Sequence, residues 1–251
     1  MKMKFRPTAL ALAGLCAASF SSQAAAAEGE GWSWFVAPYI WAATVGVDHK
    51  RLLPPNIDVD NNTNFSNLID KIDGAFMIHA EGQGDQIGFF TDYLYLGLGD
   101  NHDFTRLSTD SQLDATLFEL AMVWSPGDER FNGFELFGGL RYIDIDLSIK
   151  FNPTDPLFPT VRVDPGKSYS DFMLGFRYHW KLSDRWGMTY RMDGSWGQTD
   201  GTFNTSAMFN YNMKHGEWLF GYRYLSVNLG DNISSTDIVI HGPQFGYGFN
   251  F

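Results

Sequence analysis

Along positions 170–182, Phe172, Leu174, Phe176, Tyr178 and Trp180 share one parity, while Asp171, Gly175, Arg177, His179 and Lys181 share the other. A strand sends successive side chains to opposite faces, so this spacing predicts a strand with one apolar and one polar face. The pattern recurs over 186–197, where Trp186, Met188, Tyr190, Met192 and Trp196 oppose Thr189, Arg191, Asp193 and Ser195. It recurs again over 202–214, where Phe203, Ala207, Phe209, Tyr211 and Met213 oppose Asn204, Ser206, Asn210 and Asn212. A helical period of 3.6 residues would scatter these aromatics around a circumference, so the sequence excludes helices here.

Clusters of Gly, Pro, Asn and Asp divide the chain into ten predicted strands: 33–48, 74–83, 87–99, 112–125, 133–150, 168–181, 186–198, 202–214, 217–229 and 237–251. Eight or twelve remain open if a hairpin has been split or merged. Connections at Gly84, 126–132, 183–184 and 214–216 are short, and those at 49–73 and 151–167 are long. The other two, near 100–110 and 199–201, are modest or tight. An even count with short turns at one rim and longer loops at the other predicts an all-β fold, a transmembrane antiparallel up-and-down β-barrel.

Composition decides which medium the apolar face meets. Aromatic residues make up 16% of the chain, with 26 glycines, which is heavy for a water-soluble domain. The longest apolar stretch, 35–47, is interrupted by Pro38 and is too short for a membrane helix. A spanning barrel instead spends its aromatics on lipid and hides its polarity inside, whereas a lipocalin-like barrel would reverse that polarity. At the C-terminus Phe245, Tyr247, Phe249 and Phe251 alternate with Gln244, Gly246, Gly248 and Asn250. This segment resembles the C-terminal assembly signal of the bacterial outer-membrane β-barrel superfamily, and the likeness in strand layout covers the whole chain after the leader without naming a subfamily. The resemblance implies insertion by the barrel-assembly machinery and residence in the cell outer membrane, among its lipid and lipopolysaccharide.

The leader is the basic, apolar and small-residue succession of 1–27: Lys2, Lys4 and Arg6 precede an apolar stretch and then Ala24, Ala25, Ala26 and Ala27. This order predicts a secretory signal peptide cut before Glu28, leaving 28–251 as one barrel domain. Cys16, the single cysteine, lies within it, and Leu15 before it argues against lipid attachment, so neither disulfides nor cysteine-held metals are expected. The net charge is −11, and losing three basic residues with the leader makes the remainder more acidic still, which excludes nucleic acid as a partner. A monomer is expected, with no cofactor.

Polar parity assigns the interior to His79, Glu81, Asp92, Glu119, Glu135, Arg141, Asp171, Arg177, His179, Lys181, Arg191, Asp193 and Arg223. An arginine on the lipid face near the midplane would cost ~2–4 kcal/mol, which favours this assignment. Three copies of a Gly-apolar-Arg-Tyr element, at 139–142, 175–178 and 221–224, set glycine beside each arginine. Asp92, Glu119, Arg177, Arg191 and Arg223 all stand about four to six residues above the nearest short turn, which at ~3.3 Å per residue predicts one layer. The expectation is a belt of arginine–carboxylate pairs across the lumen, with acids from the third and fourth strands and bases from the sixth, seventh and ninth. Such a belt serves either as a structural cross-link or as a gate selecting ions. After Tyr142 the apolar parity switches to Ile143, Ile145, Leu147 and Ile149, which implies either a β-bulge or a strand that continues beyond the membrane. The ninth strand blurs likewise above Leu225.

In the first long loop Phe65, Leu68, Ile69 and Ile72 have helical spacing, and a short helix over the mouth and an extension of the second strand are both open. For chemistry, the string Asp100, His102 and Asp103 is the nearest approach to a hydrolytic Asp-His set, and His241 has no serine beside it in a strand position. The sequence therefore points to a non-enzymatic barrel, structural or adhesive or a narrow low-conductance pore. A surface hydrolase of protease or lipid A-modifying type is the alternative.

Overall fold

The computed structural model describes residues 31–51, 58–63, 72–104, 107–127, 132–153, 161–163, 166–214, 216–230 and 234–251. The expected leader and the expected helix of the first long loop lie outside these residues. The described strands are β1 (Ser33–Trp41), β2 (Thr44–Arg51), β3 (Asp58–Thr63), β4 (Ile72–Gln83), β5 (Ile87–Phe104), β6 (Leu107–Trp124), β7 (Gly133–Pro153), β8 (Val161–Val163), β9 (Gly166–Lys181), β10 (Trp186–Gly197), β11 (Gly201–Met213), β12 (Gly216–Gly230) and β13 (Ser234–Asn250). All pairings are antiparallel, and β13 closes the sheet by pairing with both β1 and β2. β1 and β2 are therefore one stave, interrupted at Ala42 and Ala43, while β3 and β8 are side hairpins on β2 and β7. The result is a closed up-and-down barrel of ten staves with no helix among the described residues, as the alternation and turn spacing predicted.

The stave break has a local cause. Pro38 has no backbone N–H to give, and the β1–β4 ladder ends at the pair Pro38 with Ile78. Just above, the Trp41 amide turns to the Met77 Sδ (3.2 Å) and the Ala42 amide to the Pro243 carbonyl (2.9 Å). The first and last staves meet at the opposite rim, where Trp34 and Phe251 exchange backbone bonds of 2.9 and 3.1 Å. The tight turns β4–β5, β9–β10 and β11–β12 share that rim, which makes it the periplasmic one by the usual asymmetry of such barrels. At the far rim the β10–β11 turn is also tight, and Gly201 takes φ +128°, a conformation open to glycine but strained for other residues.

The outer wall changes character at a definite height. On β6, Phe118, Leu120, Met122 and Trp124 face outward and are exposed; on β7, Phe134, Leu136, Leu140 and Tyr142 do the same. One step higher the facing pair is Thr116 with Asp144, and above it Asp114 with Asp146. Inside, the change is complementary: Leu117 and Ile143 are buried in a cluster with Trp41, Met77, Leu94, Tyr169, Leu225 and Val227. The pairing of β6 with β7 runs without a register shift from Leu107 opposite Pro153 to Trp124 opposite Leu136. There is therefore no bulge near Tyr142, and of the two sequence expectations the strand extension holds. Above Tyr142 the barrel leaves hydrocarbon for water, so its polarity inverts to apolar inside and polar outside. At ~3.3 Å per residue and a tilt of ~40°, the 144–153 part of β7 stands roughly 25 Å clear of the lipid. β12 repeats the change, with Leu225 and Val227 buried inside and Ser226 and Asn228 on the outer parity. One bulge does occur elsewhere, between Ile72 and Gly74 in the β4–β5 pairing.

Candidate functional site

Beneath the apolar tier the lumen is crossed by ionised groups, and the strand registers explain why they meet. His79, Asp92, Glu119, Arg141 and Asp171 lie directly opposite one another in turn across β4, β5, β6, β7 and β9. Glu135, Arg177, Arg191, Ser206 and Arg223 form a second such row across β7, β9, β10, β11 and β12. One row is mainly acidic and the other mainly basic. Within the rows Glu119 pairs with Arg141 and Glu135 with Arg177, while Arg191 and Arg223, with no carboxylate beside them in their own row, reach Glu119 across the lumen.

Glu119 is the hub and is fully buried. Its Oε1 accepts from Arg141 Nη2 (2.6 Å), Arg141 Nε (2.9 Å) and Arg223 Nη2 (3.2 Å), and its Oε2 accepts from Arg191 Nη2 (2.8 Å). Asp193 is a second acceptor, taking Arg141 Nη2 at 2.5 Å and Arg191 Nε at 2.7 Å. Asn204 gives its amide to Asp193 (2.7 Å) and accepts from Arg223 Nε (2.8 Å), so its two ends tie the cluster together. Asp92 stands 3.8 Å from Arg223 and accepts from the Tyr39 hydroxyl (2.7 Å). The Arg191 guanidinium also lies over the rings of Phe90 (4.9 Å) and Phe137 (5.0 Å).

A lower cluster is centred on Arg177, which pairs with Glu81 through two nitrogens and with Glu135 through Nε. Gln83 Nε2 (2.7 Å) and His179 Nε2 (3.0 Å) complete the surroundings of Glu135. His79 joins the two clusters, 3.2 Å from Asp92 and 3.5 Å from Glu81.

Of the five belt residues read from sequence, the structure brings together Asp92, Glu119, Arg191 and Arg223. Arg177 departs from that layer. It lies directly opposite Arg191 on β10, and the two cations diverge, Arg191 toward Glu119 and Arg177 toward Glu81 and Glu135. Sequence reasoning placed Arg141, Asp193, Glu81 and Glu135 inside but not in the belt. The missing information was the register of β6 with β7 and of β7 with β9, which sets Glu119 opposite Arg141 and Glu135 opposite Arg177. Asp171 has a separate task, accepting from the backbone amides of Gln198 (2.9 Å) and Thr199 (3.0 Å), and so pins the tight β10–β11 turn. Glycine beside arginine has a steric origin: a Cβ at Gly175 would run into Asp193 and the Phe137 ring.

Below the network the two sides of the lumen differ. Phe90, Ala121, Val123, Phe137 and Met173 pack the side made by β5, β6, β7 and β9. The other side holds a cavity of about 510 Å³ that reaches Lys181, Ser183 and Asp184 at the periplasmic rim and ends above at Tyr39, Arg191 and Arg223. Of the C-terminal aromatics, Phe245 and Phe249 are exposed on the outer face of the closing strand β13, and Phe251 sits beside Trp34. Asp100, His102 and Asp103 lie on the outer extension of β5, opposite Ser111, Thr109 and Ser108.

No family model matches this sequence, and no curated protein does. Among solved structures, the chain is similar to the outer membrane protease OmpT from Escherichia coli, with 10% identity, 89% of this chain and 99% of that one covered, and a TM-score of 0.54. The fold is that of a bacterial outer-membrane β-barrel. More distant likenesses are to Ail, the attachment invasion locus protein of Yersinia pestis (9% identity, 89% and 100% covered, TM-score 0.40), and to the translocator domain of the autotransporter NalP from Neisseria meningitidis (10% identity, 90% and 90% covered, TM-score 0.34). At these identities the likeness is one of fold. The exposed aromatic belt over a charged interior independently requires hydrocarbon around the wall, and so places this chain in the outer membrane.

Proposed function

We propose that this protein is a non-conducting, non-enzymatic outer-membrane barrel, whose work is structural or adhesive and is done by the wall and loops it holds above the outer leaflet. The observation that carries this reading is the double seal of the lumen: an interlinked arginine–carboxylate network with a packed apolar tier above it. An ion crossing would have to displace buried, paired charges and then pass a tier packed mainly with apolar side chains. Purified protein in a planar lipid bilayer tests it. No steady current is expected, and Arg177→Ala should stay silent because Arg141, Arg191 and Arg223 still hold the upper cluster. A steady ohmic conductance from the wild-type barrel would refute the seal.

A second reading, a surface hydrolase, draws on the fold shared with an outer membrane protease and on the strand positions of Asp100, His102 and Asp103 beyond the lipid belt. Turnover of a peptide or of lipid A, lost on replacing Asp100 or His102 by Ala, would support it.

A further inference from the structure

The periplasmic cavity has the size of a small-molecule site and a lining that the ion network does not use up. Its ceiling arginines, Arg191 and Arg223, are each paired with two carboxylates, so their charge is compensated before an anion arrives. The side walls carry a different chemistry. Gln244, on β13, lines the cavity, is only 8% exposed, and among the described residues its side-chain amide has no hydrogen-bond partner. Ser206 on β11 lines it with a hydroxyl equally without a partner among those residues. Glu217 on β12 accepts from Asn210 (2.6 Å) and has no cation partner among the described residues. Between these groups stand Phe35, Met188, Met208 and Leu219. The Phe35 ring lies against Gly248, where any side chain would collide with it, and so flattens onto the wall.

A free amide, a free hydroxyl and an uncompensated carboxylate around an aromatic and aliphatic surface suit a ligand rich in hydroxyls and without charge. Hydroxyls donate to Glu217 and to the Gln244 carbonyl and accept from its amide, while the C–H face of the ligand rests on Phe35. A fatty ligand would leave the buried polar groups unpaired, and an anion would meet the Glu217 carboxylate on the wall, the lining lysine, Lys181, standing out at the exposed periplasmic rim. We propose that this cavity is a binding site for a small uncharged saccharide entering from the periplasmic side.

The test uses the full barrel refolded in lauryldimethylamine oxide, a detergent without a sugar headgroup, titrated calorimetrically with maltose, with N,N′-diacetylchitobiose, with putrescine and with inorganic phosphate. Saturable binding of at least one of the two disaccharides is expected, with none of phosphate. Gln244→Leu should weaken it about tenfold, the cost of one hydrogen-bonding group. Met208→Trp should abolish it by filling the cavity, in protein whose folded gel mobility is unchanged. Glu217→Gln separates ligand classes, since it keeps a hydroxyl acceptor and should retain most saccharide binding. Putrescine binding that disappears in Glu217→Gln, with no saccharide binding, would overturn the proposal in favour of an amine. Absence of saturable saccharide binding by folded wild-type protein, or binding indifferent to both Gln244→Leu and Met208→Trp, would overturn it outright. Each of these results is independent of the bilayer conductance that tests the sealed lumen.

Discussion

Replacing Glu119 by Gln changes almost no volume but removes the one carboxylate shared by Arg141, Arg191 and Arg223. Removing one partner from a buried ion pair typically costs ~3–5 kcal/mol, because the opposite charge stays buried without compensation. Here the cost should fall near the lower figure. Arg141 and Arg191 retain Asp193 at 2.5 and 2.7 Å, and Arg223 retains Asn204 at 2.8 Å and Asp92 at 3.8 Å. What remains is one excess buried positive charge, so a second substitution, Arg141→Met, should relieve part of the loss. The expected values are ~3 kcal/mol for Glu119→Gln and a coupling of ~1–3 kcal/mol between the two sites, as for neighbours in one network. Urea unfolding of the refolded barrel in detergent, followed by tryptophan fluorescence and by the gel shift of folded against unfolded protein, measures both. With urea slopes of ~1–3 kcal/mol per molar, the midpoint should drop by about 1 M or more. An unchanged midpoint for Glu119→Gln, or strictly additive losses in the double variant, would refute the hub.

The height at which the wall leaves the lipid is tested by two arginines on one face of β6. Leu120→Arg, inside the exposed apolar belt, should cost ~2–4 kcal/mol and lower the folded yield in vesicles, whereas Thr116→Arg, two steps up the same parity, should change stability by less than about 0.5 kcal/mol. Equal effects would mean that the belt continues past Tyr142. The close approach at Gly175 predicts a loss of ~1–3 kcal/mol for Gly175→Ala by overpacking, while Gly138→Ala, whose added methyl would meet its nearest neighbours at an ordinary 3.6 Å, should be nearly neutral in the same unfolding assay.

The sequence by itself determined the strands and the face each presents, and pointed to ten of them; closure of the sheet decided the count. Hydrocarbon forbids ionised groups on one parity, and the period of two is strict, so Phe172 to Trp180 and Trp186 to Trp196 announce both their structure and their surroundings. It also determined most of the interior charges, though it missed Glu217 at the foot of β12. It could not say which of them touch. That depends on the offset between neighbouring strands, and the residues written at 126–132 and 151–167 spell no recognised turn type from which to count it. Only the closed barrel sets Glu119 beside Arg141, places Arg191 opposite Arg177 and so drives the two arginines to different acids. Tertiary structure alone also gave a meaning to Ile143 and Asp144. Their alternation is the same whether a bulge flips the strand or water replaces lipid outside it, and the unbroken β6–β7 ladder decides for water.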